Sequence, residues 1–134
     1  MLKEIIREYG RLVHEDDIFY CYINENILLT PEIVIDIHKN GLQMSEGNKY
    51  FTISDVSLNV SSTKEARAYG ADNEYMANHI AYALIGNSLP VIILINFFIN
   101  FNKPKVPTRL FRNEKDALDW FKKIKLNLPV DALH

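Results

Sequence analysis

The chain predicts an α/β sandwich, a mixed β-sheet that opens with an N-terminal hairpin and is covered by about four helices. Three observations carry this. Two apolar runs are joined by the acidic turn at Asp16 and Asp17, as in an antiparallel hairpin. Runs rich in β-branched and aromatic residues then alternate with segments that open on Ser, Thr or Asn caps. Several of those segments repeat apolar residues at helical intervals. At 134 residues the chain fits one domain, 1–134.

The hairpin reads from "EYGRLVHEDDIFYCYIN". In its second strand Ile18, Tyr20 and Tyr22 share one face and Phe19, Cys21 and Ile23 the other, and both are largely apolar, so this strand belongs inside the sheet. Thr30 as N-cap, Pro31 and Glu32 in the first turn and Gly41 near the end bound a first helix, with Val34 and Ile37 inward. "KYFTISDVSLNV" returns to strand composition. Ser62 followed three residues later by Glu65 is a capping-box pattern that opens a second helix through "SSTKEARAYGADNEYMA". The strand "HIAYALIG" ends at Gly86 and Asn87, after which Ser88 and Pro90 start a third helix.

That third helix contains "VIILI", which propensity alone assigns to a strand. Spacing decides for helix: Val91, Leu94, Ile95 and Phe98 recur at three and four, and Asn96, Asn100 and Lys103 form a narrow polar stripe. Pro104 and Pro107 disfavour helix before them, so it should stop near Asn102. "TRLFR" is a short edge strand, and Asn113 caps a last helix with Ala117, Trp120, Phe121 and Ile124 on one stripe.

Composition and motifs exclude more than they select. Ile80 to Phe101 is long enough for a membrane span, but Gly86, Asn87, Ser88, Pro90, Asn96 and Asn100 cut it, so none is expected. Cys21 stands alone, which rules out an intrachain disulfide and a cysteine-based zinc site, and the charged N-terminus lacks a signal peptide's apolar run; a cytoplasmic location is expected. His14, His38, His79 and His134 show no metal-ligand spacing, and no cofactor motif occurs. No nucleophile elbow, dinucleotide fingerprint or His-Glu-x-x-His motif is present, and no enzymatic activity is expected.

Three sets of residues stand out as candidate sites. Asp55 falls near the end of a sheet strand, where open α/β folds place ligands, and also suits a turn acceptor. Lys103, Lys105 and Arg109 belong to a basic segment, Lys103 to Lys125, with eight basic residues against three acidic ones. Its prolines remove backbone donors that a phosphate cradle needs, and the acidic remainder of the chain would repel nucleic acid, so an acidic protein surface is the expected contact. Ser61, Ser62 and Thr63 open the second helix, with Ser62 read as its cap. The third helix is apolar over a wider arc than one sheet face needs, which predicts a homodimer through Val91 to Phe101.

The element order, with "NFFINFNKPKVPTRLFRNEKDALDWF" (Asn96 to Phe121) closing the chain, resembles small bacterial STAS-like proteins, relatives of the anti-sigma-factor antagonists. The resemblance implies a cytosolic regulatory or protein-interaction module, in which a serine opening the helix after the central strand is phosphorylated to switch partner binding off. The corresponding place is Ser61, Ser62 and Thr63, without the Asp before or the Gly after that the family's switch carries. The competing reading is a small-molecule or lipid-binding domain on the same fold.

Overall fold

The computed structural model describes residues 2–128. The chain runs β1 (Leu2–Arg7), β2 (Gly10–Glu15), β3 (Ile18–Ile23), β4 (Leu28–Leu29), α1 (Pro31–Met44), β5 (Tyr50–Asp55), β6 (Ser61–Ser62), α2 (Lys64–Gly70), α3 (Asn73–Met76), β7 (His79–Ile85), α4 (Leu89–Phe97), β8 (Thr108–Phe111) and α5 (Glu114–Leu126). A π-helical turn, Phe98–Asn102, extends α4. The main sheet has the order β1-β2-β3-β5-β7-β8, antiparallel through β3 and parallel beyond it, so it is mixed as the sequence predicts.

Each parallel crossover steps in the same direction across this sheet. The right-handed rule therefore sends α1, the α2–α3 pair and α4 to one face. The chain leaves the edge strand β8 and returns as α5 on the opposite face. Two cores result. Leu12, Phe19, Tyr50, Leu84, Val91 and Ile95 pack in the first, under α1 to α4. Phe51, Ile53, Ala81, Ala83, Ile85, Ala117 and Phe121 pack in the second, under α5. β5 is buried on both faces from Tyr50 to Ser54.

Several local expectations need correction. The sheet begins one strand earlier than the hairpin, because β1 pairs with β2 from Leu2↔Glu15 to Arg7↔Gly10 and is tied to α1 by Arg7–Asp36 at 3.1 Å. Gly41 lies inside α1 and does not end it; a Cβ there would sit 2.8 Å from Tyr50 Oη and 2.9 Å from Phe19 Cε2, so the glycine lets the helix lie close on the sheet. Gly86 does the same at the start of α4, where a Cβ would collide with Val91. The second helix is two, α2 and α3, broken after Gly70.

Ser62 is not the cap of α2. Thr63 is, its Oγ1 accepting from the Ala66 N–H at 3.0 Å. Ser62 is held in extended backbone by pairing with Leu29 in the two-stranded β4–β6 sheet, and the Thr63 N–H donates to the Leu29 carbonyl at 3.0 Å. Elsewhere the caps fall where the sequence puts them: Thr30 accepts from the Ile33 N–H and Asn113 from the Asp116 N–H. Ser88 occupies the N-cap of α4 without a side-chain hydrogen bond.

Thr63→Ala should therefore destabilise the fold by about 1 kcal/mol, the usual cost of losing an N-cap. Ser62→Ala should cost less, since Arg67 keeps its bond to the Ser62 carbonyl. Paired urea denaturation curves check this, and equal effects would remove the assignment of the cap.

Candidate functional site

The inner face of the central strands is unusually polar on the α1–α4 side. Thr52 and Ser54 alternate with Phe51 and Ile53, so two hydroxyls face the first core while two large apolar side chains face α5. Across from them β7 carries one extra residue: Tyr50 pairs with His79 but Thr52 with Tyr82. This bulge brings His79 and Tyr82, three residues apart, to the same face. Two side-chain pairs form there, Thr52 Oγ1 with His79 Nδ1 at 2.8 Å and Ser54 Oγ with Tyr82 Oη at 2.9 Å, while His79 Nε2 and Tyr50 Oη are buried without a partner among the described residues.

An aromatic array covers this floor. His79 stacks with Tyr75 at 5.0 Å and Tyr82 at 5.6 Å between ring centroids, and contacts Tyr50 at 4.9 Å. His38 on α1 joins through Tyr75 at 5.1 Å. Burial, with a smaller contribution from the charge of His38, lowers the His79 pKa to about 3, so this imidazole is neutral. Burial also lowers His14 and His38. Cys21 is inert for the same reason, its thiol pushed up to about 12.

Beside the array, a cavity of about 90 Å³ lies between the sheet and the helices, lined by Ile23, Val34, Leu84, Ile95 and Phe98 with Ser54 and Tyr82. An outer groove of about 420 Å³ adjoins it, between Asn59 and the exposed side of α4. Val60, Ser61, Arg67 and Leu94 line both. Among the described residues the sheet order never reverses, so they form no switch-point crevice of the usual α/β kind; the open space forms under the helices instead.

Arg67 stands at the boundary. Its Nη1 donates to the Ser62 carbonyl at 2.8 Å and to Ser62 Oγ at 3.1 Å, and its guanidinium lies 5.3 Å from the Phe97 ring centroid. Its Nε is buried without a hydrogen-bond partner among the described residues. Next to the groove, α4 presents a row of exposed apolar side chains at every fourth position: Leu89 (70% exposed), Ile93 (59%), Phe97 (43%) and, on the π-helical turn, Phe101 (66%). Phe97 and Phe101 stack at 4.8 Å.

The sequence-predicted residues are only partly gathered here. Ser61 and Ser62 line the cavity, and Ser61 is the exposed one, while the Thr63 hydroxyl is committed to the cap. Asp55 accepts from the Ser57 N–H at 3.0 Å and the Ser57 hydroxyl at 2.6 Å, a turn acceptor, and strand alternation turns it away from the cavity. Lys103 and Lys105 are exposed on the connection after α4. Arg109 lies over Phe111 and Trp120, 5.2 and 5.4 Å from their ring centroids, and lines neither the cavity nor the groove. Among the described residues no three His, Cys, Asp or Glu side chains form a metal-binding group, and no helix is long and apolar enough to cross a membrane. His134 lies outside the described residues.

Sequence reasoning missed Arg67, Tyr75 and Tyr82. Arg67 has no sequence signal, since a lone arginine in a short helix reads as surface. Thr52 and Ser54, alternating inside the apolar strand "YFTISD", were the available signal for the polar floor.

A family described as "Domain of unknown function (DUF7793)" matches residues 12–125. The curated proteins contain no significant match to the chain. Among solved structures, the chain is similar to an uncharacterized protein of the DUF3478 family with a SpoIIAA-like fold from Shewanella loihica PV-4, with a TM-score of 0.53 and 14% identity over 90% of this chain and 91% of that one. That likeness supports the STAS-like architecture implied by the sequence resemblance.

The neutral His79 makes stability depend on pH. Its folded pKa lies below the ordinary 6.5, so between about 6.5 and 3 the unfolded chain binds a proton that the folded chain does not, and stability falls with pH in that window. His14 and His38, also lowered, act in the same direction. Urea unfolding from neutral pH to about pH 4 should lose roughly 1 kcal/mol per pH unit from His79 alone. The double variant Thr52→Val, His79→Phe should flatten that slope; an unchanged slope would contradict the neutral buried imidazole.

Proposed function

The chain belongs to the DUF7793 family, and from that premise we propose that it is a non-catalytic regulatory module that works by protein interaction, docking through the exposed row on α4. The carrying observation is that row itself. Leu89, Ile93, Phe97 and Phe101 lie on one side of a helix whose opposite side, Val91 and Ile95, is already buried against the sheet. Four large apolar side chains in one exposed line are a ridge of the i, i+4 kind that packs between helices. The ridge ends at Lys103 and Lys105, which supply a basic rim.

A second copy of this chain suits the ridge as its first occupant. Outside the basic segment the chain carries fourteen acidic residues against seven basic ones, so one copy offers the acidic surface that the other's lysines need. Ser61, exposed on the wall of the adjoining groove, places a modifiable hydroxyl close to this face. A phosphate there would add about two negative charges beside Arg67 and alter the docking surface.

A second reading, a small-molecule pocket on the same fold, is favoured by the cavity between the sheet and α4, whose lining is apolar but for a few convergent polar groups.

Sedimentation equilibrium from low to high micromolar concentration tests the first reading. The protein should approach twice its monomer mass, and Ile93→Glu with Phe97→Glu should hold it at the monomer mass while keeping the wild-type melting temperature at concentrations where the wild type is monomeric, because both positions are exposed. Lys103→Glu with Lys105→Glu should weaken association and reduce its salt sensitivity. A monomer throughout, or a dimer indifferent to the ridge variants, would overturn self-association through α4.

A further inference from the structure

We infer that the cavity and groove together bind a small amphipathic monocarboxylate, its head on the Arg67 guanidinium and its apolar tail in the cavity. The inference rests on the pocket reading above and names the ligand class. Among the described side chains lining the cavity and the groove, Arg67 is the only charged one, and it lines both. No carboxylate lies within ion-pair distance of it among the described residues. A half-buried guanidinium with no anion beside it, set in an apolar surround, favours an anionic group more strongly than a solvated arginine does.

The donor geometry narrows the head group. Ser62 takes Nη1 through its carbonyl and hydroxyl, while Nε is buried with no partner. Guanidinium donors lie in a planar fork, and a carboxylate accepts two of them side by side. An unpaired N–H in an apolar surround is costly, so an acceptor that reaches the guanidinium fork is favoured. A single cation balances a single negative charge. A phosphate monoester, with nearly two, would leave one uncompensated next to Phe97 and Leu94.

The remaining walls fix the tail. The hydroxyls on the cavity floor bond each other, Ser54 with Tyr82, so they do not call for a polar ligand atom. Around them Ile23, Val34, Leu84, Ile95 and Phe98 are apolar. A volume of about 90 Å³ is smaller than the roughly 150 Å³ apolar cavity that accepts a benzene ring, so it suits a few carbons of an unbranched chain, with the rest lying along Leu94 in the groove.

Two-dimensional ¹H–¹⁵N NMR of the whole chain, titrated with octanoate, 1-octanol and octyl phosphate, tests this. Octanoate should give saturable shifts at Arg67 and Ile95. Octanol should bind at least about tenfold more weakly, and octyl phosphate more weakly than octanoate. Arg67→Gln should lower octanoate affinity to the level of octanol while leaving octanol affinity unchanged. Ala66→Met, which fills the cavity and keeps the arginine, should weaken both; the dispersion of each variant's spectrum establishes that it is folded. If octanol binds as tightly as octanoate, or Arg67→Gln has no effect, the carboxylate assignment fails and the pocket reading stands. Tighter binding of octyl phosphate also overturns the assignment. If none of the three probes gives saturable shifts, the pocket reading fails with it.

Discussion

The fold depends on one constraint, the burial of β5 on both of its faces. A strand with Tyr50, Thr52 and Ser54 on one side and Phe51 and Ile53 on the other needs a covering layer in both directions. Parallel pairing to β3 and β7 supplies crossover helices, and the constant direction of those crossovers puts all of them on one face. Among the described residues the other face is covered by α5 and the Leu128 that follows it. It is sealed by aromatic packing, with Phe51 and Phe121 rings 4.7 Å apart and Trp120 against both Phe111 and Phe121.

That asymmetry separates structure from function. One helix seals the α5 face, where the strands present small alanines, Ala81 and Ala83, to Ala117 and Phe121. Several helices share the opposite face and do not close over the hydroxyl-bearing floor at Ser54 and Tyr82. The cavity, the groove with Arg67 and the apolar ridge of α4 all lie on this side. α4 links them: it is apolar almost throughout, with Asn96 its one polar residue, so it buries Val91 and Ile95 while exposing Leu89, Ile93 and Phe97. Its role as a docking element and its role as a cavity wall follow from the same composition.

Most of the architecture was legible in the sequence because it rests on strong local signals. Asn113 and Thr30 fix helix starts, Pro104 and Pro107 fix the end of the α4 segment, and the helical spacing of Val91, Leu94, Ile95 and Phe98 outweighed β propensity. β1 was not legible, since "LKEIIR" does not alternate cleanly and its position is fixed by pairing with β2 and by ion pairs from Arg7 to Asp36 on α1 and from Lys3 to Glu46 just beyond it. The cap of α2 moved from Ser62 to Thr63 because a two-residue pairing with Leu29, invisible in sequence, outranked the Ser62–Glu65 pattern. Of the candidate site, Ser61 and Ser62 were identified from the sequence, and Thr52 and Ser54 alternating in "YFTISD" carried a signal for the floor. Arg67 and the Tyr82 floor come from separate segments brought together by a bulge and a short helix, and no local pattern encodes that meeting.

Open apolar space lies on the α1–α4 face, whereas the described residues pack the α5 face closed. Xenon, which enters dry apolar cavities, measures this directly when methyl-resolved NMR spectra are recorded under increasing gas pressure. Saturable shifts are expected at the methyls of Ile23, Val34, Leu84 and Ile95, with those of Ile53, Ile85 and Ile124 unmoved. Shifts of equal size on both faces, or none at the first four, would contradict it.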